Sequence, residues 1–402
     1  MKKEWLLAMC ATAMMASCAK DKTIALDNGA DGTPEEIILG AGQYLSAEVE
    51  QGQPMKAASR GIGSVGDLGT ENNWNGETVY VYGIVPALTE KDGQFAINGE
   101  AATAPAGTAG ATVTSTLAWK ETDKHYYYDG NNLYDFYGCH VDDAATEAMT
   151  IPTGTDLTTA GFSVPVTIDG TQDLMVAMPD KDADINGNGE VTATDNLYSA
   201  WSSRRGVKPN LVFKHVLTRL TFKAKCGDAS APAQPVKITS IQVTGAISDG
   251  TLTVIPANSG TQGFVAGTTT ANFALMGPDL DPKTQKLANF SGKDITNVDP
   301  EDFDQIGASM MLVPGGEYTI VITTEQDMNN NSTIDANEKG TITKKITYTG
   351  GFVAGTNYNI NITVYGLQEI AVNATLTAWN EAGEDIEIDP DDINPPTPSP
   401  AP

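Results

Sequence analysis

The chain has 402 residues and a formal net charge of −27, from 51 acidic and 24 basic residues. So strong an acidic excess argues against binding to nucleic acid or to anionic lipid surfaces, because both require a basic surface. Beyond the N-terminal leader no segment is long and apolar enough to cross a bilayer as a helix. The length left after the leader suits two or three domains.

The first eighteen residues predict an export signal that ends at a lipid-modified cysteine. Lys2 and Lys3 give a basic start, and residues 6–15 (LLAMCATAMM) form an apolar run of signal-peptide length. Small residues then lead into Cys18, which resembles the lipobox of bacterial lipoproteins, with Met15 in place of the usual leucine. Lipidation at Cys18 would anchor the protein, since several acyl chains bind a membrane almost irreversibly. An ordinary secretory signal with a chance cysteine is the alternative.

Beyond the leader, short alternating apolar and polar runs separated by Gly, Pro, Asn and Asp predict antiparallel strands. A first candidate strand is 36–40 (EIILG), followed by Tyr44 and Leu45. The aromatic-rich stretch 119–137 predicts paired strands, or a strand and a turn, with buried rings. The other predicted strands are 78–85, 211–213, 217–225, 238–244, 250–255, 318–324, 340–348, 357–364 and 370–377. Cys139 and Cys226 are expected to be buried small hydrophobic residues, because two cysteines do not make a disulfide framework.

The predicted fold class is all-β, with two antiparallel β-sandwich domains in tandem after the signal peptide. The predicted boundary lies where Arg204, Arg205, Gly206 and Pro209 interrupt the strand pattern. The predicted segments are a signal peptide (1–17), a lipidated tether (18–35), an N-terminal sandwich (36–205), a C-terminal sandwich (206–380) and an acidic Pro-rich tail (381–402). Proline-rich composition predicts that the tail is extended and solvated.

Catalytic motifs are absent from the sequence. His125, His140 and His215 have no paired metal spacing, and neither a nucleophile elbow nor a phosphate-binding glycine loop occurs. Carboxylates are plentiful, but nothing singles out the two that a glycosidase needs. The sequence therefore predicts a building block or a binding protein rather than an enzyme.

Residues 184–195 (DINGNGEVTATD) predict a calcium loop, because oxygen donors at alternate positions can all point at one ion. Gly189 stands at the position of the sharp turn. The candidate ligands are Asp184, Asn186, Asn188, Glu190 through its carbonyl, and Asp195. No other cofactor is expected.

A weaker second copy of this pattern covers residues 327–338 (DMNNNSTIDANE). Ser332 occupies the position at which calcium loops carry glycine. Its candidate ligands are Asp327, Asn329, Asn331, Asp335 and Glu338. The alternative for both loops is a polar turn between strands, where Asn, Asp and Gly are common.

Residues 211–225 (LVFKHVLTRLTFKAK) resemble the fimbrillin family, the type V pilins and Mfa-like fimbrial lipoproteins of Gram-negative anaerobes. Segments 238–254 and 357–379, the latter ending in Trp379, resemble it too. The matches to the family pattern F-x-H-x-L-x-(R/K)-L-x-F are Phe213, His215, Leu217, Arg219, Leu220 and Phe222.

The resemblance implies transthyretin-like sandwiches and export to the outer-membrane surface as a lipoprotein carrying palmitate. It also implies assembly with other fimbrial subunits. In pilin members an arginine-specific protease removes the leader with the first strand, and a donor strand from the next subunit fills the groove. The physical basis is that a sandwich lacking a strand exposes unpaired backbone and apolar pockets.

Arg60 is one of four arginines and lies in a small-residue segment after the first candidate strand, so Arg60–Gly61 is the predicted processing bond. A surface arginine in a loop is the alternative. The predicted donor is short, because residues 384–388 (EDIEI) are acidic and precede prolines that cannot donate ladder hydrogen bonds. Strand 370–377 is the other candidate donor, and a tip, anchor or non-polymerising adhesin stays open.

The sequence thus predicts a surface-exposed fimbrial subunit or adhesin at the outer membrane, held there by its lipid. Its partners would be other subunits and a host or bacterial surface ligand. The alternative is a non-polymerising glycan-binding lipoprotein that stacks sugars on exposed aromatic side chains. The candidate platforms are Trp74, Trp119, Tyr126, Tyr127 and Tyr128.

Overall fold

The computed structural model describes the greater part of the chain between residues 34 and 377. The described ranges are 34–43, 77–85, 95–104, 115–120, 124–127, 132–142, 146–157, 159–179, 198–204, 206–227, 233–257, 260–280, 287–299 and 302–377. Cys18, Arg60, Gly61, the loop 184–195 and the tail 381–402 lie outside these ranges.

The described residues are almost entirely β-strand, which confirms the all-β prediction. The strands up to residue 215 are Gly40–Gln43 (β1), Thr78–Ile84 (β2), Phe95–Thr103 (β3), Ser115–Thr116 (β4), Ala118–Trp119 (β5), Asp135–Val141 (β6), Phe162–Thr167 (β7), Leu174–Pro179 (β8) and Asn210–His215 (β9). A short helix, Ala200–Ser203 (α1), and a 3₁₀ turn, Thr146–Met149, accompany them.

Fourteen described strands follow residue 215, and they include the longest strands of the fold. They are Thr218–Cys226 (β10), Lys237–Ile247 (β11), Asp249–Ile255 (β12), Gly263–Ala266 (β13), Thr270–Ala274 (β14), Met276–Leu280 (β15), Leu287–Asn289 (β16), Lys293–Asp294 (β17), Asp304–Gln305 (β18), Met310–Leu312 (β19), Gly315–Glu325 (β20), Lys339–Phe352 (β21), Asn357–Val364 (β22) and Ile370–Thr377 (β23). A 3₁₀ turn, Ala336–Glu338, precedes β21.

Eight strands form the first sheet, in the order β4-β1-β9-β8-β6-β2-β3-β5. Its centre is buried on both faces, which explains why β2 reads as a nearly continuous apolar run. Val79 and Val81 pack into one core and Tyr80 and Tyr82 into the other, because successive side chains point to opposite faces.

Two sheets form a sandwich from the later strands. One has the order β18-β10-β22-β23, with β19 also on β10, and the other has the order β14-β11-β20-β21. Alternate residues such as Phe222, Ile241, Ile322 and Ile360 are fully buried in one shared core. Burial of that apolar area, at ~25 cal/mol per Å², is the main force holding the two sheets together.

Strands on either side of residue 205 pair with each other. β9 joins β8 and β1 in the first sheet, and β7 pairs with β12 in a third sheet of order β13-β12-β7. The division into domains 36–205 and 206–380 stays a prediction. The pairings of β9 and of β7 join strands from the two sides of the predicted boundary.

Cys139 and Cys226 are buried free thiols, as expected. Burial raises the pKa of Cys139 to about 12, which leaves it a small hydrophobic residue at neutral pH. Among the described residues, no helix is long and apolar enough to span a membrane.

Candidate functional site: the N-terminal segment and its groove

Residues 34–43, which we call the N-terminal segment, insert into the first sheet as its second strand. β1 runs parallel to β9, with Gly40 opposite Asn210 and Gln43 opposite Phe213, and antiparallel to β4 on its other side. The sequence predicted a strand at 36–40, and the regular ladder begins at the last residue of that range. The parallel pairing with a strand so far along the chain has no local signal.

Hydrogen bonds outside the ladder hold the preceding residues in the same groove. The Ile37 amide donates to the His125 carbonyl at 2.8 Å, and the Tyr127 amide donates to the Glu35 carbonyl at 3.0 Å. On the other side the Leu117 amide donates to the Leu39 carbonyl, also at 3.0 Å. Backbone pairing of the segment is therefore two-sided, as in a central strand rather than an edge.

Two apolar side chains anchor the segment in the core. Ile37 is 0% exposed and Leu39 1% exposed, and both belong to the smaller of the two apolar cores, together with Val81, Leu211 and Phe213. Alternation explains this pattern, because residues two apart in an extended chain point to the same side. Each burial is worth about 1.5–3 kcal/mol relative to exposure.

An aromatic wall lines the groove beside the segment. Tyr127 packs edge-on to Tyr134 with ring centroids 5.0 Å apart, and Tyr134 stacks on Phe136 at 6.1 Å. Tyr198 lies 6.0 Å from Phe136 and exchanges backbone hydrogen bonds with Tyr134. Desolvation raises the pKa of Tyr127, so its hydroxyl stays neutral. The buried rings predicted for 119–137 are thus the wall of this groove.

Two acidic side chains fasten the start of the segment at the surface. Lys124 Nζ lies 2.5 Å from Glu36 Oε2, and the Ser203 hydroxyl of α1 donates to Glu35 Oε1 at 2.6 Å. The hydrogen bond and charge of Glu36 raise the pKa of Lys124. The Lys124–Glu36 pair is exposed and gives alignment more than stability, whereas the Ser203–Glu35 hydrogen bond is partly buried.

β23 occupies an edge at the far end of the chain. It pairs with β22 from Asn357–Thr377 to Val364–Ile370, and within the described residues no second strand pairs with it. Ile370 and Ala374 are buried, whereas Ala371 and Asn373 are exposed. The sequence prediction for this strand, 370–377, agrees with the structure at both ends.

The second candidate calcium loop is a tight polar connection between β20 and β21. Asp327 accepts the backbone N–H groups of Asn331 and Ser332 at 3.0 and 2.8 Å, and Ser332 takes a positive φ of 63°. Glu338, 1% exposed, accepts backbone N–H groups from Met328 and Asn329. Asn329 Nδ2 lies 3.3 Å from Asp335 Oδ2.

No group of three or more His, Cys, Asp or Glu side chains is arranged for a metal within the described part of the chain. The Asn oxygens of loop 327–338 are a different set of candidate ligands, and loop 184–195 lies outside the described residues. Calcium binding by either loop stays a prediction.

A buried histidine–carboxylate cluster lies where the sequence showed only isolated histidines. His215 Nδ1 sits 2.9 Å from Asp173 Oδ2, with Asp173 0% exposed. His140 Nδ1 donates to the Thr78 carbonyl at 2.8 Å, while its Nε2 lies 3.2 Å from Asp142 Oδ1. The histidine of the family-like motif therefore serves as a buried hydrogen-bond partner of Asp173.

The charges of this cluster shift the pKa of two of its members. Burial pulls the pKa of His140 down, but Asp142 and Asp173 more than offset this and raise it to about 9. Burial likewise raises the pKa of Asp142, and the facing His140 lowers it further than that, so the net shift is downward. His140 is accordingly charged at neutral pH.

The aromatic side chains that are candidate sugar-stacking platforms differ in their exposure. Tyr127 is 0% exposed and is no platform, because its ring lies inside the groove wall. Trp119 is half-buried and packs edge-on against His125 at 4.4 Å. Tyr126 is half-buried and its backbone bridges to Glu36. Trp74 and Tyr128 lie outside the described residues.

The geometry defines a class of protein: an all-β protein whose own N-terminal segment completes its first sheet. A family model described as fimbrillin-like matches residues 69–379. The chain belongs to the fimbrillin-like family, as the motif at 211–225 indicated. A search of curated proteins finds no significant match.

Solved structures similar to this chain include proteins from Bacteroides and Parabacteroides species. A candidate cell adhesion protein from Bacteroides uniformis is 15% identical, with 86% of this chain and 99% of that chain covered and a TM-score of 0.45. One from Parabacteroides distasonis is 8% identical over 87% and 99%, also at 0.45. A fimbrial protein from Bacteroides vulgatus is 11% identical over 76% and 93%, at 0.39. At these scores the family assignment depends on the family model.

Proposed function

We propose that this protein is a fimbrial subunit or adhesin on the bacterial surface, exported as a lipoprotein through Cys18. Membership of the fimbrillin-like family supports the fimbrial and adhesive role, and this is a family of adhesion proteins rather than of enzymes. The lipobox-like leader supports delivery to the outer membrane, with the acyl chains as the anchor.

The observation that carries the proposal is the two-sided insertion of the N-terminal segment. The segment precedes Arg60 in the chain, so cleavage of Arg60–Gly61 would separate it covalently from the sheet that it completes. Its departure would expose the backbone edge of β9 and the pockets now filled by Ile37 and Leu39. Such a groove accepts an incoming strand from another subunit.

The donor that the structure supports best is β23. It lies on an edge and holds two small or medium apolar side chains, Ile370 and Ala374, in its own core. The stretch 384–388 is shorter and more acidic, which suits a groove lined by aromatic and aliphatic residues less well. Release of β23 breaks its backbone hydrogen bonds to β22. Strand exchange therefore depends on β23 forming an equal number of backbone hydrogen bonds in the groove.

Mass spectrometry of the protein purified from cells tests the maturation step. The expected result is an acylated Cys18 N-terminus in the membrane precursor and a Gly61 N-terminus in assembled fimbriae. In Arg60→Ala, only the Cys18 form and no fimbriae are expected. The matched control is Arg204→Ala, at the end of α1, which should mature normally.

Two results would contradict the proposal. Fimbriae built of chains that begin at Cys18 would rule out removal of the segment. Unchanged fimbriae in Arg60→Ala would show that this arginine is an ordinary loop residue. In either case the protein would remain a lipid-anchored adhesin or terminal subunit only if Cys18 carries acyl chains.

A further inference from the structure

The groove contains two buried polar atoms that the N-terminal segment leaves without a hydrogen bond. They are the Tyr127 hydroxyl oxygen and Asn210 Oδ1. Tyr127 lies opposite Glu35, because its amide donates to the Glu35 carbonyl, and Asn210 lies opposite Gly40 in the parallel ladder. A buried polar group without a partner costs free energy. A strand that carried a hydrogen-bonding side chain at both places would therefore fit the groove better than the N-terminal segment does.

The side chains of the N-terminal segment explain why both atoms lack a partner. Gly40 has no side chain to offer Asn210. The Glu35 carboxylate turns to α1 instead and accepts a hydrogen bond from the Ser203 hydroxyl at 2.6 Å. The apolar pockets of the groove are thus filled, whereas its polar positions are not matched.

β23 and the residues just before it repeat the pattern of the N-terminal segment. Aligned without a gap, residues 35–41 read EEIILGA and residues 368–374 read QEIAVNA, with Glu, Ile and Ala shared at the second, third and seventh positions. The third and fifth positions, which fill the apolar pockets, are Ile370 and Val372 in β23. Ile370 is buried in its own sheet and Val372 packs against the same core, so β23 already has the alternation that the groove requires.

Asn373 takes the place of Gly40 in this alignment and would lie beside Asn210. Asn side chains at matching positions of neighbouring strands hydrogen-bond to one another as ladders. An amide carries both donors and an acceptor, so Asn373 can satisfy Asn210 Oδ1. In the unassembled chain Asn373 is exposed, so its side chain is not needed in the core of its own sheet.

Gln368 takes the place of Glu35, opposite Tyr127. Its amide oxygen can accept the hydrogen bond of Ser203, as the Glu35 carboxylate does now, and its amide nitrogen can donate to the Tyr127 hydroxyl. Gln368 is likewise exposed in the unassembled chain. An amide side chain therefore stands at each of the two places where the groove has a polar atom without a partner.

The acidic stretch 384–388 matches the apolar pockets but not the polar positions. The same alignment places Asp389 beside Asn210, with Pro390 next in the chain. An ionised carboxylate only accepts hydrogen bonds, so Asn210 Oδ1 would remain without a donor. Pro390 has no N–H group for a ladder that is paired on both sides.

We propose that β23 of one subunit enters the groove of the next in this one register, parallel to β9, and that Asn210 and Tyr127 select it over the N-terminal segment. The inference rests on the proposed function and adds to it the register and the selecting side chains. It also gives strand exchange a direction, because the incoming strand satisfies polar atoms that the outgoing segment leaves without partners.

Disulfide trapping in fimbriae on cells tests the register. In N210C/N373C the two cysteines would stand on neighbouring strands about 4.8 Å apart, within the range that a disulfide spans, while the pockets for Ile370 and Val372 still hold the strand. We expect a ladder of covalently linked subunits that a reductant collapses. The matched control is N210C/A371C, because Ala371 is exposed on the same side of β23 but lies two residues out of register. It should give little or no ladder.

A stronger ladder from N210C/A371C than from N210C/N373C would overturn the register. Absence of a ladder from both variants would overturn the placement of β23 in the groove. The N-terminus of the fimbrial subunits then shows whether the proposed function fails as well. Subunits that begin at Gly61 would leave that function standing with another donor strand, whereas subunits that begin at Cys18 would contradict both.

A second measurement tests the selection without cysteines. Asn373→Ala should lower the temperature at which fimbriae dissociate in detergent but leave the melting temperature of the unassembled chain unchanged, since Asn373 is exposed there. In the Asn210→Ala background the same change should cause no further fall, because the atom that Asn373 satisfies is gone. Gln368→Ala and Tyr127→Phe form the corresponding pair at the other position. Additive falls, or fimbriae unaffected by Asn373→Ala and Gln368→Ala, would overturn the selecting role of Asn210 and Tyr127.

Discussion

Asp173 and His215 show how one buried pair can specify the alignment of two strands. Asp173 immediately precedes β8 and His215 ends β9, so their 2.9 Å contact fixes the relative register of these neighbours. Removal of one partner leaves the polar group of the other buried without its hydrogen bond, which costs about 1–3 kcal/mol. The alternation of β9 placed His215 inward, but its partner lies 42 residues away and had no signal.

We expect Asp173→Asn to lower the free energy of unfolding by about 1–3 kcal/mol, because the buried carboxylate that contacts the His215 imidazole is lost. Chemical denaturation of the variant measures this loss. The double variant Asp173→Asn/His215→Asn should recover part of it, since neither original partner is then left buried without the other. Strictly additive losses would mean that the two side chains are not coupled.

His140 should make the stability of the protein fall as the pH rises into the alkaline range. Its pKa in the folded protein is about 9, above the unfolded value of about 6.5. Its contribution is therefore fully present below about pH 6.5 and is lost as the pH rises through 9. The melting temperature should fall over this interval, and His140→Gln should remove that part of the fall. An identical pH profile in the variant would contradict the assignment.

At the scale of elements, the N-terminal segment depends on two side chains. Ile37→Ala removes a fully buried group and should cost about 2–5 kcal/mol. The matched control is Ile38→Ala, at the half-buried neighbour on the opposite side of the chain, which should cost clearly less. Denaturation curves of the two variants measure these losses of stability. Equal losses in Ile37→Ala and Ile38→Ala would mean that the segment is not inserted as described.

The two candidate calcium loops also concern single elements of the fold. If either loop binds calcium, the ion should raise the melting temperature of the protein, because a ligand that binds only the folded state stabilises it. Asp184→Asn should abolish the shift if the first loop is the site, and Asp327→Asn should abolish it if the second is. A melting temperature that is unaffected by calcium and by chelator would exclude both loops.

At the scale of the whole molecule, the first sheet is continuous only while residues 34–43 stay in place. A chain starting at Gly61 lacks that strand and should melt at a lower temperature than the chain starting at residue 19. A synthetic peptide of residues 34–43 should restore much of the difference, and the same peptide with Ile37 and Leu39 replaced by Asp should not. Equal melting temperatures of the two chains would show that the strand is dispensable.

Most of the later strands were predictable from the sequence, because apolar and polar residues alternate along each of them with the two-residue period of a strand. Segments 357–364 and 370–377 agree with β22 and β23 at both ends, and 250–255 and 318–324 lie within β12 and β20. The strands β3, β7 and β8 had no predicted counterpart, and β6 only begins within the predicted aromatic stretch 119–137. Part of the reason lies in side chains buried on both faces of the sheet, as in β6 and β8, where alternation of polarity disappears.

The sequence by itself determined the all-β class, the family motif and the acidic tail, and it predicted the export leader, since each is written in adjacent residues. Only the tertiary structure decided that residues 34–43 lie between β4 and β9 and that Asp173 meets His215. Which strands pair across long loops depends on the apolar area that whole sheet faces bury together. That free energy belongs to the assembled sheets and cannot be read from any one stretch of sequence.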